Sequence, residues 1–277
     1  MSRRRNAEVR SAILERFSTI KRESGLFVAV ARALRHPVLV LAQRMKQVAY
    51  RNHVRMKRTN EERFTWIYKN NLWGCRESVS GWGSTLSYTE NIRSQLPHAI
   101  RQLGISSLLD APCGDYNWMR EVVARTDVTY IGGDIVYPLI ESLSARFSTD
   151  RTSFIQLDIT RQNLPKADMM LCRDCLFHFS ECDILRFLEN FANSQIPFLL
   201  TTTHKNHEEF KNVDIETGGF RLLDLFSAPY LFSADPILRI DDWVPPEPPR
   251  EVCVWSRDQV LASLQRMRDF RAARSKS

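Results

Sequence analysis

Three aspartates mark the ends of the first three apolar, strand-like runs in the middle of the sequence: Asp110 in SSLLDAPC, Asp134 in VTYIGGDI and Asp158 in TSFIQLDI. A charge at a strand end has no partner in the sheet ladder. One such aspartate ordinarily caps the helix that follows, but three in succession converge on one crevice and suit a ligand rich in hydroxyls and amines. Asp134 follows Asp110 by 24 residues, close to where Rossmann-like proteins use an acid to receive two ribose hydroxyls. Asp158 is placed to accept from an exocyclic adenine amine. Between the first strand and its helix, DAPCGDYNW makes a small-residue bend whose backbone N–H groups stay free for a ligand, and Gly114 permits close approach. The bend lacks GxGxxG and any basic residue for a pyrophosphate, which disfavours a nicotinamide cofactor.

Other reactive residues are less specific. Cys172 and Cys175 have CxxC spacing, but no second pair follows and neither Cys182 nor His178 completes a metal set, so the six cysteines read as reduced thiols and no metal site is expected. His204 and His207 follow the fifth strand in TTTHKNHEEF, where they would line the acceptor side of the crevice. With Glu208 they make no recognised metal spacing, and solvated loop positions are the plainer account of that group.

The elements that must position these residues follow from periodicity. Strands SSLLDAPC, VTYIGGDI, TSFIQLDI, ADMMLCRDC and PFLLTTTH alternate with helical stretches, and EVCVWS reads as a last strand before a terminal helix over 257–273. Near-continuous apolar strands spaced by helices predict an α/β, Rossmann-like, mostly parallel seven-stranded sheet with helices on both faces, the late strands closing one edge. The ligand then sits at the carboxyl ends of the strands. Residues 66–88 read as an irregular loop rich in aromatic, Gly and Ser residues, which either covers a site, with Trp82 and Tyr88 as substrate contacts, or connects elements with Trp73 and Trp82 plugging the core. The proline cluster Pro245, Pro246, Pro248 and Pro249 predicts an extended connection.

The chain has 277 residues and a net charge of +7, but residues 1 to 63 hold 16 Lys/Arg against 5 Asp/Glu, a net of +11 that leaves −4 for the rest. Residues 1–62 therefore read as a basic helical extension, broken near Pro37, in front of a domain over 63–277. Such an arm either meets an anionic membrane, nucleic acid or acidic protein, or packs on its own domain or on a second subunit of a homodimer. The apolar stretch from Leu26 to Leu41 is interrupted by Arg32, Arg35, His36 and Pro37, too short and charged to span a bilayer, and no signal peptide is evident. A cytoplasmic protein, peripheral at the inner membrane face if the arm binds lipid, is expected.

DAPCGDYNWM, YIGGDIV, FIQLDIT and ADMMLCRDCLFHFS, in this order and spacing, resemble the successive motifs of class I S-adenosylmethionine (SAM)-dependent methyltransferases, especially a bacterial subgroup with DAPCGD and CRDCL motifs. The resemblance covers roughly 68–264. It implies that Asp110, Ala111 and Gly114 face the methionine part of SAM, and Asp134 with its neighbour Ile135 the ribose. Asp158, Leu157 and Ile159 would face the adenine, and Cys172 and Arg173 the reaction crevice. Pro112 and Tyr116 stand where the wider class often has glycine. A sulfonium methyl is already activated, so positioning dominates, while a neutral hydroxyl acceptor profits from a general base. His178, four residues past Asp174, is the first candidate for it, and the two form the candidate catalytic pair. The acceptor implied is a small molecule, sugar or glycan precursor. The rival readings are a nucleic-acid methyltransferase whose arm holds phosphates, and a non-catalytic, cofactor-binding, membrane-associated adaptor.

Overall fold

The computed structural model describes residues 57–274 apart from Gly74 and Glu208, together with positions 50, 52, 54 and 56, which are helical. The basic arm expected over residues 1–62, with its break near Pro37, lies outside the described residues as far as 49. The chain divides into Met1–Met56 and a second compact unit, Lys57–Ser277, to which all that follows refers. Among the described residues no helix is long and apolar enough to cross a membrane.

The second unit is built on seven strands: β1 Ser107–Asp110, β2 Thr129–Asp134, β3 Thr152–Gln156, β4 Met169–Cys172, β5 Phe198–His204, β6 Leu238–Asp241 and β7 Arg250–Ser256. They lie in the order β3-β2-β1-β4-β5-β7-β6. The first five are parallel, and β7 runs antiparallel between β5 and β6. This is the Rossmann-like, mostly parallel sheet that the strand pattern predicts. The chain order reverses between β1 and β4, and in open α/β sheets that switch point opens a crevice beyond the strands' carboxyl ends.

Alternating side chains on the central strands feed two cores, as a sheet covered on both faces requires. Leu109, Met170 and Leu199 point to one, with Phe187, Leu188 and Phe191 of α5 Glu181–Asn193 and Val260 and Leu264 of α6 Arg257–Arg274. Leu108, Met169, Leu171 and Leu200 point to the other, with residues of α2 Glu90–Gln102, α3 Met119–Val123 and α4 Tyr137–Phe147. Helix α5 shows why such segments form: Ser180 caps it by accepting from the Asp183 N–H at 3.2 Å, and its apolar residues recur at helical spacing. Phe187 is completely buried, and its truncation to alanine costs about 3–5 kcal/mol.

The structure departs from the sequence reading at four places. Helix α1, Asn60–Lys69, capped by the Thr59 hydroxyl accepting from the Glu62 N–H, takes in Trp66–Lys69 of the expected loop. Strand β3 ends at Gln156, two residues short of Asp158. The proline cluster forms a closed turn between β6 and β7, in which the Glu247 N–H donates to the Val244 carbonyl, instead of an extended connection. Trp73 and Trp82 are 39% and 52% exposed, so neither plugs the core.

Candidate active site

A cavity of about 290 Å³ lies over the carboxyl ends of β1, β2 and β4, near the size of an ordinary small-molecule cleft. Its floor at one end is the turn after β1. The Cys113 N–H donates to the Gly133 carbonyl at 2.8 Å, and Gly114 takes φ +54°. A Cβ on Gly114 would stand 2.2 Å from Ser80 Oγ, so only glycine fits there.

Asp110, Asp134 and Asp158 all border this cavity. Asp134 receives the Gly114 N–H on Oδ2 at 3.2 Å and the Val136 N–H on Oδ1 at 3.0 Å, and Asp110 receives the Tyr130 hydroxyl at 2.7 Å. Burial pushes Asp110 up to about 7, against the pull of the Tyr130 hydrogen bond and the Arg173 charge. Burial likewise pushes Asp134 up to about 6, against its backbone hydrogen bonds. Neither makes an ion pair among the described residues. Asp158 is differently placed: Oδ1 accepts from both the N–H and the hydroxyl of Thr160, at 2.9 and 2.6 Å. Ile135, Leu157 and Ile159 supply apolar wall beside it. Gly114 and Arg173 border the cavity too, whereas Ala111 and Cys172 lie fully buried in the core behind it.

The opposite end is built around four paired charges. Asp174, at φ +52°, accepts from Arg250 Nη2 at 2.8 Å and lies 3.2 Å from Arg173 Nη1. Arg173 also donates to both Asp242 oxygens, at 2.8 and 3.0 Å. Although burial opposes it, Arg173 and Arg250 hold the Asp174 carboxyl below its usual range. Asp174 thus borders the cavity as an ion-pair partner of two arginines. His178 makes no ion pair in this network among the described residues, but it lies close enough to feel the charges of Asp174 and Arg250. Its Nδ1 lies 2.6 Å from the Gly219 carbonyl oxygen, which can only accept, so Nδ1 carries the proton and Nε2 keeps the lone pair in the neutral ring. Burial pushes His178 below its ordinary value, which keeps it neutral at pH 7. Its ring stacks on Trp73 at 5.7 Å, with Phe220 at 6.0 Å.

Of the three expected substrate contacts, Trp82 borders the cavity, while Tyr88 and His204 do not. Tyr88 is buried with the Arg250 guanidinium over its ring at 4.7 Å. His204 closes β5 in the core, where Nδ1 accepts from the Leu223 N–H at 3.1 Å and burial pushes it down to about 4. It is therefore no solvated loop residue, unlike the exposed His207, and Glu208 lies outside the described residues.

Several bordering residues escaped the sequence reading: Asn60, Phe64 and Tyr68 of α1, Ser80 and Gly83 of the following loop, Phe220, and Arg250 at the start of β7. The glycines beside Trp82 and Phe220 were the available signal. Asp115, the last residue of DAPCGD, also had no assigned role. Its Oδ2 accepts from the Val79 N–H at 2.9 Å, its Oδ1 from the Ser78 hydroxyl at 3.1 Å, and its own N–H donates to Ser80 Oγ at 3.0 Å. Asn117 adds bonds to Glu77 and to the Ser84 carbonyl. Residues 77–84 are thereby stitched to the turn after β1, and Gly83 lets their backbone close on Asp174 and Arg250.

No protein-family model matches the sequence, and no curated protein matches it significantly. Solved structures of similar fold include methyltransferases. Human N-acetylserotonin methyltransferase, in complex with SAM, aligns with TM-score 0.48 and 12% identity over 61% of this chain and 52% of its own. Mitomycin 7-O-methyltransferase aligns at 0.46 and 16%, over 62% and 54%. The match thus spans about half the length of these two proteins. The Burkholderia thailandensis 1,6-didemethyltoxoflavin-N1-methyltransferase, with bound 1,6-didemethyltoxoflavin and S-adenosylhomocysteine, aligns at 0.47 and 15%, over 61% and 80%. The likeness is one of fold.

Proposed function

We propose that this chain is a SAM-dependent methyltransferase acting on a hydroxyl of a small molecule, a class that includes sugars and glycan precursors. The observation that carries the reading is the pair Asp110 and Asp134: two buried carboxylates, on neighbouring strand ends, facing one cavity and in no ion pair among the described residues. Buried acids in that state favour a ligand that brings donors and positive charge.

The residues fit the nucleoside. The Asp134 oxygens take backbone N–H groups from Gly114 and Val136 and have lone-pair capacity left for a ribose hydroxyl. Asp110 and the Gly114 backbone would face the methionine part, with Ala111 shaping the turn. Leu157 and Ile159 would enclose the adenine, whose amine Asp158 would receive, and Ile135 would lie beside the ribose. Cys172 and Arg173 carry the chain from β4 into the crevice. When bound, the sulfonium supplies a methyl group already activated for transfer. The protein's task is to align the acceptor and exclude water, and His178 Nε2 is the base for the hydroxyl proton.

Calorimetric titration with SAM and S-adenosylhomocysteine tests this. Asp134→Ala is expected to weaken both by tenfold or more, and equal affinity in wild type and variant would overturn the ribose assignment. The basic arm over residues 1–62 is read as an attachment to an anionic surface, membrane or nucleic acid, and its removal should leave nucleoside affinity unchanged.

A further inference from the structure

The cavity end around His178 carries large aromatic side chains left in water. Trp73, Trp82 and Phe220 border it while 39%, 52% and 58% exposed, and such surface ordinarily marks a binding site. The charged groups nearby are already committed: Arg173, Arg250, Asp174 and Asp242 satisfy one another. What remains to recognise an acceptor is mainly ring surface, with one imidazole nitrogen and the few hydroxyls of Tyr68, Ser80 and Ser84 that also border the cavity.

A polyol would be poorly served here, since each hydroxyl desolvated without a partner costs about 1–3 kcal/mol. A flat ring needs no such partners and gains from aromatic contact. The base points the same way. His178 is held below its ordinary value by burial, so it is a weak base. A phenol, near 10 like tyrosine, yields its proton to such a base far more readily than an alkyl hydroxyl, which lies far higher, close to water. We propose that the acceptor is a phenol, a flat aromatic ring seated against Trp73, Trp82 and Phe220 with its hydroxyl at His178 Nε2. This rests on the methyl-transfer reading. The phenolic oxygen bonds to the methyl carbon as its proton passes to Nε2, and the carbon–sulfur bond breaks with its electron pair kept on sulfur.

The test is fluorescence titration of the full chain with 2-naphthol, with and without saturating S-adenosylhomocysteine, and with methyl β-D-glucopyranoside as the polyol control. We expect 2-naphthol to bind and the glucoside not to. Phe220→Ala should weaken naphthol about tenfold and Phe220→Trp restore it. His178→Asn should retain naphthol binding but lose its methylation. No naphthol binding, or equal binding in Phe220→Ala, overturns the phenol assignment even if the nucleoside binds. Failure of S-adenosylhomocysteine to bind in its own titration overturns the methyl-transfer reading instead.

Discussion

The two ends of the cavity solve opposite electrostatic problems. At the strand-end side, Asp110 and Asp134 are buried with hydrogen bonds but in no ion pair among the described residues, Arg173 acting on Asp110 only at longer range, and burial raises both. At the His178 side, two arginines and two aspartates cancel one another, leaving ring faces and a neutral imidazole. A protein that leaves charge unbalanced in one place and balances it fully in another, across one small cavity, is prepared for two chemically different guests. The first is suited to a guest that brings charge and donors, the second to one that brings apolar surface.

The largest expected effect bears on the neutral end. His178→Asn should lower kcat roughly 10²–10⁴-fold, with nucleoside affinity unchanged. The wild-type kcat should fall on the acid side below the usual imidazole value of about 6.5. Little loss would mean that the neutral end only positions. Asp174→Ala comes next, since it leaves Arg173 and Arg250 short of a partner in a buried network, and thermal or urea unfolding should show a loss of about 3–5 kcal/mol. If stability is unchanged, the charges there do not balance as a set. Gly114→Ala is smaller, about 1–3 kcal/mol in nucleoside binding or stability, because φ +54° and Ser80 Oγ both oppose a side chain.

The mildest effect is on pH dependence at the unbalanced end. The nucleoside should bind the ionised acids, so affinity should rise as pH climbs through about 6 for Asp134 and about 7 for Asp110, and fall when they are protonated. Titrations at pH 5.5 and 8 check this, and Asp134→Asn should flatten the slope. A slope that survives the loss of both carboxylates would break the contrast between the two ends.

The same contrast explains what was legible in the sequence. The strand-end side rests on β1, β2 and the turns beyond them, whose apolar runs announce strands and whose acids fall at or just past their ends, so Asp110, Asp134 and Gly114 could be placed from pattern alone. Asp158 shows the limit: it borders the cavity, but from a turn held by Thr160 and not from a strand end. The other side is assembled from α1, the loop before α2, and residues near Phe220 and Arg250, segments far apart in sequence and without periodicity. Tyr88 and His204 lie off the cavity for a related reason. Whether a polar residue beside a strand faces a cleft or the core depends on what packs over it, and β7 and the Leu223 backbone cover His204.

Asp115 links the two sides in a way that bears on the order of events. The carboxylate next to Gly114 grips Val79 and Ser78, so the hollow that would receive the nucleoside and the rim that would receive the acceptor move as one hydrogen-bonded piece. Linkage is reciprocal: whatever stiffens the hollow readies the rim, and a filled rim tightens binding in the hollow by the same free energy.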